Sequence, residues 1–251
     1  MFNEIIFRPL YNGLVGIMDI IPGIDVGLAV IIFTVVVKLI LFPLSKTSIL
    51  TQARMKEIEP EANRIKHQYA NDRQLQAQKT MELYRSKGVK PFSGILLLII
   101  QLPILLALVS VFYHIIPTID ASALYSFVAL PTLKTSFLGF IDLARPSIIL
   151  AILTGVVQFL QLKYSIAANQ LKQSPPQAGQ GMSAQIAGSM STQMKYLVPV
   201  LAFVSIYWLI PARFPEASSI VAIYWTTSSL MTFLQELYIR KKHLEKQPAQ
   251  T

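Results

Sequence analysis

One cation sits inside an otherwise uncharged apolar run: Lys38, in TVVVKLILFPL. A cation within a membrane span costs about 2.5–3.5 kcal/mol on insertion scales. Its chemistry is electrostatic: it attracts carboxylates and keeps water beside it. Two readings are open. Lys38 lies six residues before Leu44, about 9 Å along a helix at 1.5 Å per residue, so its stem can snorkel to the interface. Alternatively it lines a hydrated cavity. Gln101, Gln158, Gln161 and the run Trp225, Thr226, Thr227, Ser228, Ser229 also fall inside apolar stretches. Each glutamine alone reads as an interhelical hydrogen-bonding residue. Taken with the lysine, they point to a wet cavity that opens on one side and stops partway through a bilayer.

Covalent chemistry has little support. There is no GxxxxGK[ST] phosphate loop and no HExxH. His67, His114 and His243 are far apart in sequence, which disfavours zinc. Cysteine is absent, so there is no thiolate nucleophile, disulfide or cysteine-linked lipid anchor. The apolar runs hold no Asp or Glu except Glu216 and Glu236 at their very edges. The expectation is a protein that is not an enzyme, with no cofactor, metal or small-molecule substrate.

The elements that must position these residues are membrane helices. The 251 residues are 53% hydrophobic and 14% charged, against about 25% charged in soluble domains. Lipid offers no partners to an unpaired backbone, so the spans are helical. Five stretches are long and apolar enough to cross. They predict an all-α integral membrane protein with spans at 25–45, 92–116, 146–163, 196–212 and 217–238. Orientation follows from Lys and Arg. Residues 45–91, the segment between the third and fourth spans, and the C-terminal tail together hold seventeen; the opposite side holds four. By the positive-inside rule the N-terminus is outside and the C-terminus cytoplasmic. With that orientation, the outer halves (GLAVIIF, LLALVSVFY, IILAIL, VSIYWLI, SSIVAIY) are the more apolar.

Between the spans, residues 1–24 read as an amphipathic interfacial helix, outside, with Phe2, Ile5, Ile6, Leu10, Leu14, Ile17 and Ile21 at helical spacing and a break or start near Pro9. Residues 46–91 read as a charged cytoplasmic helical hairpin. Ile58, Ala62, Ile65 and Tyr69 form its apolar stripe, Asn71-Asp72 its turn, and Gly88 its C-cap. Residues 117–145 form an outer loop at the interface, 164–195 a flexible cytoplasmic loop rich in Gln, Ser and Gly, and 239–251 a basic cytoplasmic tail. The tail charges from Arg240 to Lys246, with the hairpin, are candidate contacts for ribosomal RNA or targeting factors; topology alone also accounts for them.

The runs VGLAVIIFTVVVKLILFPLSKTS, KEIEPEANRIKHQY, MELYRSKGVKPFSGILLLIIQLPILLAL, PLYNGLVGIMDIIPG and IYWTTSSLMTFLQELYI resemble the YidC/Oxa/Alb membrane-protein insertases over nearly the whole chain. The sequence looks like the minimal five-span bacterial form. The resemblance implies five helices around a hydrophilic groove open to the cytoplasm. Its first-span basic residue, usually Arg, matches Lys38; its third-span glutamine matches Gln158; its fifth-span aromatic matches Trp225; and Gln101 matches a position in the IQLPI run. It further implies a chaperone and insertase whose partners are nascent membrane proteins and the lipid bilayer, together with the ribosome and the Sec translocon, in the bacterial cell membrane. The competing reading is a small secondary transporter or channel subunit. That would call for internal repeats or polar residues through both leaflets, and the sequence shows neither.

Overall fold

A computed structural model describes residues 3–90, 93–115, 118–170, 193, 196–213 and 217–243. The helices are α1 (Arg8–Ile20), α2 (Val26–Ile40), α3 (Phe42–Glu57), α4 (Glu59–Gln68), α5 (Arg73–Ser86), α6 (Ser93–Ile115), α7 (Ile148–Gln170), α8 (Tyr196–Ala212) and α9 (Ser218–His243). A π-helical turn, Asn3–Phe7, leads into α1, and another, Ser205–Leu209, lies within α8. The all-α expectation gains one addition, a two-residue antiparallel ribbon pairing Ser136 with Asp142 and Phe137 with Ile141.

Apolar side chains pack one end of the bundle tightly. Tyr11, Leu14, Val15 and Met18 of α1 join Val26, Ala29, Val30 and Phe33 of α2, Leu108, Val111, Phe112 and Ile115 of α6, Ile206 of α8, and Ile220–Tyr224 of α9. The buried face is therefore Phe7 and, on α1, Tyr11, Leu14, Val15 and Met18; of the predicted face Leu14 is buried and Leu10 and Ile17 pack partly buried against the core, whereas Ile5 and Ile21 do not. Ile5 is 65% and Ile21 42% exposed. The segment 118–145 caps this end. Asn12 is the hub: Nδ2 donates to Ala123 O (3.0 Å) and Oδ1 accepts from Tyr125 N (2.6 Å). Asp25 caps α2 through Leu28 N (2.8 Å) and accepts from Leu138 N (3.3 Å), while Val26 N donates to Lys134 O (3.0 Å).

At the other end α2 and α3 meet at 61°. Pro43 sits in the first turn of α3, where its missing N–H costs nothing but prevents a straight continuation of α2. The predicted boundary at 45/46 consequently falls inside a helix, and α3 packs against α6 and α9. Beyond it α4 and α5 pack against each other. Asp72 caps α5, accepting from Gln74 N (3.1 Å) and Leu75 N (2.9 Å). Gly88 takes the left-handed φ of +65° that ends it. Lys87–Glu61 (2.8 Å) and Gln76 Nε2 to Lys66 O (2.8 Å) tie the arms. Ile58 and Ala62 are the buried part of the predicted stripe.

Each long helix leaves large apolar residues bare: Ile32, Val36, Leu39 and Ile40 on α2; Leu96, Ile99, Leu102 and Leu106 on α6; Ile149, Ile152, Val156 and Leu160 on α7; Leu230, Leu234 and Tyr238 on α9. A water-soluble surface does not tolerate so much contiguous apolar area. Among the described residues, Ile148–Ile166 alone is long and apolar enough to cross a membrane, and the bent α2–α3 pair qualifies when joined; Ile99–Ile115 and Tyr196–Ala212 are shorter apolar helices. The predicted flexible loop lies mostly outside the described residues, as does the tail after His243; α7 carries the chain helically as far as Gln170.

Candidate functional site

Lys38 leaves the last turn of α2 on the side opposite Ile32, Val36 and Ile40 and points toward α9. Its Nζ donates to Thr232 Oγ1 at 3.1 Å. The Thr232 hydroxyl donates its own proton to Ser228 O (2.8 Å), leaving lone pairs for the ammonium. Gln235 Nε2 donates to the Lys38 carbonyl at 2.9 Å. That carbonyl belongs to the last turn of α2, where intrahelical partners run out. Lys38 is half-buried, and among the described residues no carboxylate pairs with it. One of its three donor positions is used.

A second polar cluster joins α7 to α9. Gln158 Oε1 accepts from Trp225 Nε1 (3.1 Å) and Ser229 Oγ (2.6 Å), and Gln158 Nε2 donates to Gln161 Oε1 (3.5 Å). One turn nearer the packed end, buried Thr154 Oγ1 meets Thr226 Oγ1 (2.8 Å) and donates to Leu150 O (2.8 Å). On α6, Gln101 Nε2 donates to Tyr224 OH at 3.4 Å. Tyr224 is also the last residue of the continuous buried run that begins at Ala217. Gln101 thus marks where apolar packing gives way to polar contacts.

All four predicted residues therefore meet α9: Trp225 belongs to it, and Lys38, Gln101 and Gln158 bond to it. They do not form one cluster. Among the described residues no hydrogen bond joins Lys38 to Gln101, Gln158 or Trp225. A polar strip winds along α9, Thr226–Ser229–Thr232–Gln235, spaced by three and about 14 Å long at 1.5 Å per residue; Ser229 holds Gln158, Thr232 and Gln235 hold Lys38, and Gln101 bonds off the strip at Tyr224. It lies between α7 and α2, the two helices that α9 packs against most. Thr232, Gln235, Tyr224 and Thr154 were not singled out from the sequence. The spacing of three was a usable signal, masked by the bare apolar neighbours Leu230 and Leu234.

Residues 17–247 match the 60Kd inner membrane protein family. The chain belongs to this family. Relatives include a protein of Fusobacterium nucleatum, named membrane protein insertase YidC, 34% identical over 216 residues that cover 86% of each chain. A protein of the same name from Oceanobacillus iheyensis is 35% identical over 225 residues, 88% of this chain and 76% of its own. A third, from Leptospira interrogans, is 29% identical over 239 residues, 94% of this chain but only 34% of its own length. The family match spans Lys38, Gln101, Gln158, Trp225 and the whole α9 strip, but begins after most of α1.

At the hairpin end, Arg240 departs from its expected role as a solvent-facing tail charge. It is 7% exposed and Glu236 4%. Arg240 Nε and Nη2 both donate to Glu236 Oε1 at 2.8 Å. Residue 239 lies within α9, not at its end. The exposed cations there are Lys241 and Lys242.

Proposed function

We propose that this chain is a membrane protein insertase and chaperone that carries short polar tails of newly made membrane proteins partway across the bilayer. The observation that carries the reading is Lys38: an ammonium in the half of the bundle where apolar packing ends, hydrogen-bonded to Thr232 yet unpaired with any described carboxylate. Five spans, formed by α2 with the start of α3, α6, α7, α8 and α9, surround a groove open to the cytoplasm and to lipid. Lys38 and the α9 strip line it. The N-terminus lies outside and the C-terminus inside, with α4 and α5 in the cytoplasm. The chain performs no covalent chemistry.

The physical task is desolvation. A polar tail pays several kcal/mol for each unpartnered group it takes into hydrocarbon. Hydroxyls and amides along about 14 Å of α9 supply partners over part of that path, and Lys38 attracts an acidic tail. Membrane potential adds about 2.3 kcal/mol per charge per 100 mV. The client's apolar segment leaves past α7 and α9 into lipid. The closed packing around Tyr11, Phe112 and Ile220 supports a path that stops midway, which disfavours the transporter or channel reading. The ribosome and the Sec translocon are proposed partners on the cytoplasmic face.

The deciding experiment reconstitutes the purified chain alone into liposomes and adds a Sec-independent client with a short acidic tail. Protease protection of that tail is the expected outcome. Flux of ions or small solutes without client insertion would sink the proposal.

A further inference from the structure

The capped end holds a cavity of about 470 Å³ lined by Glu4, Phe7, Arg8, Ser110, His114, Asp120 and their neighbours. It is remote in sequence and position from Lys38 and the α9 strip. Its charges are mixed. Arg8 Nη1 pairs with Glu4 Oε2 at 3.0 Å, its guanidinium lies 5.3 Å from the Tyr125 ring centre, and its Nε is buried without a hydrogen-bond partner. Asp120 is exposed; its Oδ1 accepts from Ser122 N (2.9 Å) and Ser122 Oγ (2.7 Å). His114 Nδ1 lies 2.7 Å from Ser110 O. A carbonyl only accepts, so Nδ1 carries the proton and Nε2 of the neutral ring is an acceptor.

The cavity thus offers a guanidinium, two carboxylates and a ring acceptor. A plain anion would meet Glu4 and Asp120; a plain cation would meet Arg8. A ligand carrying both charges satisfies all of them. We propose that this cavity binds the headgroup of an aminophospholipid, with the phosphodiester on Arg8 and the primary ammonium on Asp120 and His114. Guanidinium–phosphate pairing is among the stronger charge-assisted contacts. Phe7 lines the cavity against His114, and Ile5 and Tyr113, the chain neighbours of the lining residues Glu4 and His114, are 65% and 48% exposed. These apolar surfaces suit acyl chains, and Tyr is a residue enriched at the membrane interface. A free phosphoamine shares the headgroup chemistry but leaves Ile5 and Tyr113 bare, which favours the lipid.

Native mass spectrometry of the full chain in detergent tests this directly, and its readout is bound lipid, independent of insertase activity. Phosphatidylethanolamine, phosphatidylglycerol and phosphatidylcholine are offered separately, with glycerophosphoethanolamine as a competitor. Wild type is expected to retain phosphatidylethanolamine above the other two, because glycerol lacks the charge and a quaternary ammonium cannot donate. Arg8→Gln should weaken retention by roughly tenfold or more, with Arg8→Lys intermediate. Asp120→Asn, at an exposed position that threatens folding least, should erase the preference for ethanolamine over glycerol. Equal retention of the three lipids by wild type overturns the proposal, as does an unchanged preference in Asp120→Asn. Competition by glycerophosphoethanolamine at the concentration of the intact lipid overturns the lipid assignment.

Discussion

Lys38 and Thr232, 194 residues apart in sequence, are joined by a 3.1 Å hydrogen bond from Nζ to Oγ1. The bond orients the ammonium without neutralising it. An ion pair at the same place would have used up the charge. Lys38→Arg should therefore support insertion of acidic-tailed clients in a depletion-rescue assay. Lys38→Ala should lower it, and Lys38→Glu should lower it further. Thr232→Val keeps the charge but releases its anchor, so it should cost less than Lys38→Ala. Equal rescue by Lys38→Glu and wild type would remove the electrostatic role.

Gln158 Oε1 holds two donors, Trp225 Nε1 and Ser229 Oγ, and so couples α7 to α9. Gln158→Leu strands both, at about 1–3 kcal/mol for each donor left buried and unpaired. Gln158→Glu keeps an acceptor for both. Thermal unfolding in detergent should thus show a clear drop for the Leu variant and a small change for Glu. Adding Trp225→Phe and Ser229→Ala to Gln158→Leu should recover part of the loss, since the orphaned donors are then gone.

The polar positions on α2, α6 and α7 were legible because each interrupts a long apolar run, where a polar side chain is costly enough to stand out. The hairpin was legible through Asp72 and Gly88, whose local backbone roles do not depend on tertiary packing. Thr232 and Gln235 were not, because a threonine or glutamine in the inner half of a span, toward the interface, carries little cost until its partner is known. The buried face at α1 was read only in part, with Leu14 correct and Ile5 and Ile21 not, for a related reason. Ile5 and Tyr11 are both apolar enough for a core, and only docking of the 118–145 segment, through Asn12 and the Tyr11–Asp120 contact, selects between them. The bend after Leu41 has a visible cause in Pro43, but proline at a helix start is equally compatible with a straight span that simply ends.

Arg240 illustrates the limit on reading charge from sequence. An i,i+4 Glu–Arg pair looks the same in solvent as in a packed interface. Here both members are buried. Breaking a buried pair from one side costs about 3–5 kcal/mol, whereas surface charges change stability by about 0–1 kcal/mol. Arg240→Gln should lower the unfolding temperature markedly. Lys241→Gln and Lys242→Gln should not, and Glu236→Gln combined with Arg240→Gln should regain part of the loss. Any test of the tail as a ribosome contact should neutralise Lys241, Lys242 and Lys246 and leave Arg240 intact, with co-sedimentation followed across salt concentrations.

Asp120 links the capping segment to acid sensitivity. Hydrogen bonds from the Ser122 hydroxyl and amide hold its carboxyl below the ordinary value against the opposing effect of desolvation, and the nearby His114 adds the least of the lowering effects. A carboxylate with a depressed folded-state pKa contributes stability that is present above its unfolded pKa and fades as pH falls through the folded one. Acidification should therefore loosen the turn at 120–123 only below the usual Asp range. Ser122→Ala should raise the Asp120 titration midpoint, read by NMR of the carboxyl carbon, and move that loosening to higher pH.

Gly27 tests whether the packed end must stay closed. It lies in the first turn of α2, beneath the ribbon, where a Cβ would strike the Phe137 ring and come within 3.0 Å of Ile223 Cδ1. Its φ is ordinary, so the constraint is space and not backbone freedom. Gly27→Val should force the ribbon or α9 away, at about 1–3 kcal/mol for overpacking, and lower the unfolding temperature. Phe137→Leu should relieve part of that cost in the double variant. If closure here is what keeps the groove blind, Gly27→Val proteoliposomes should also leak small ions that wild-type ones retain. A destabilised but ion-tight variant would mean that other residues in the core around Tyr11 and Phe112 seal the membrane on their own.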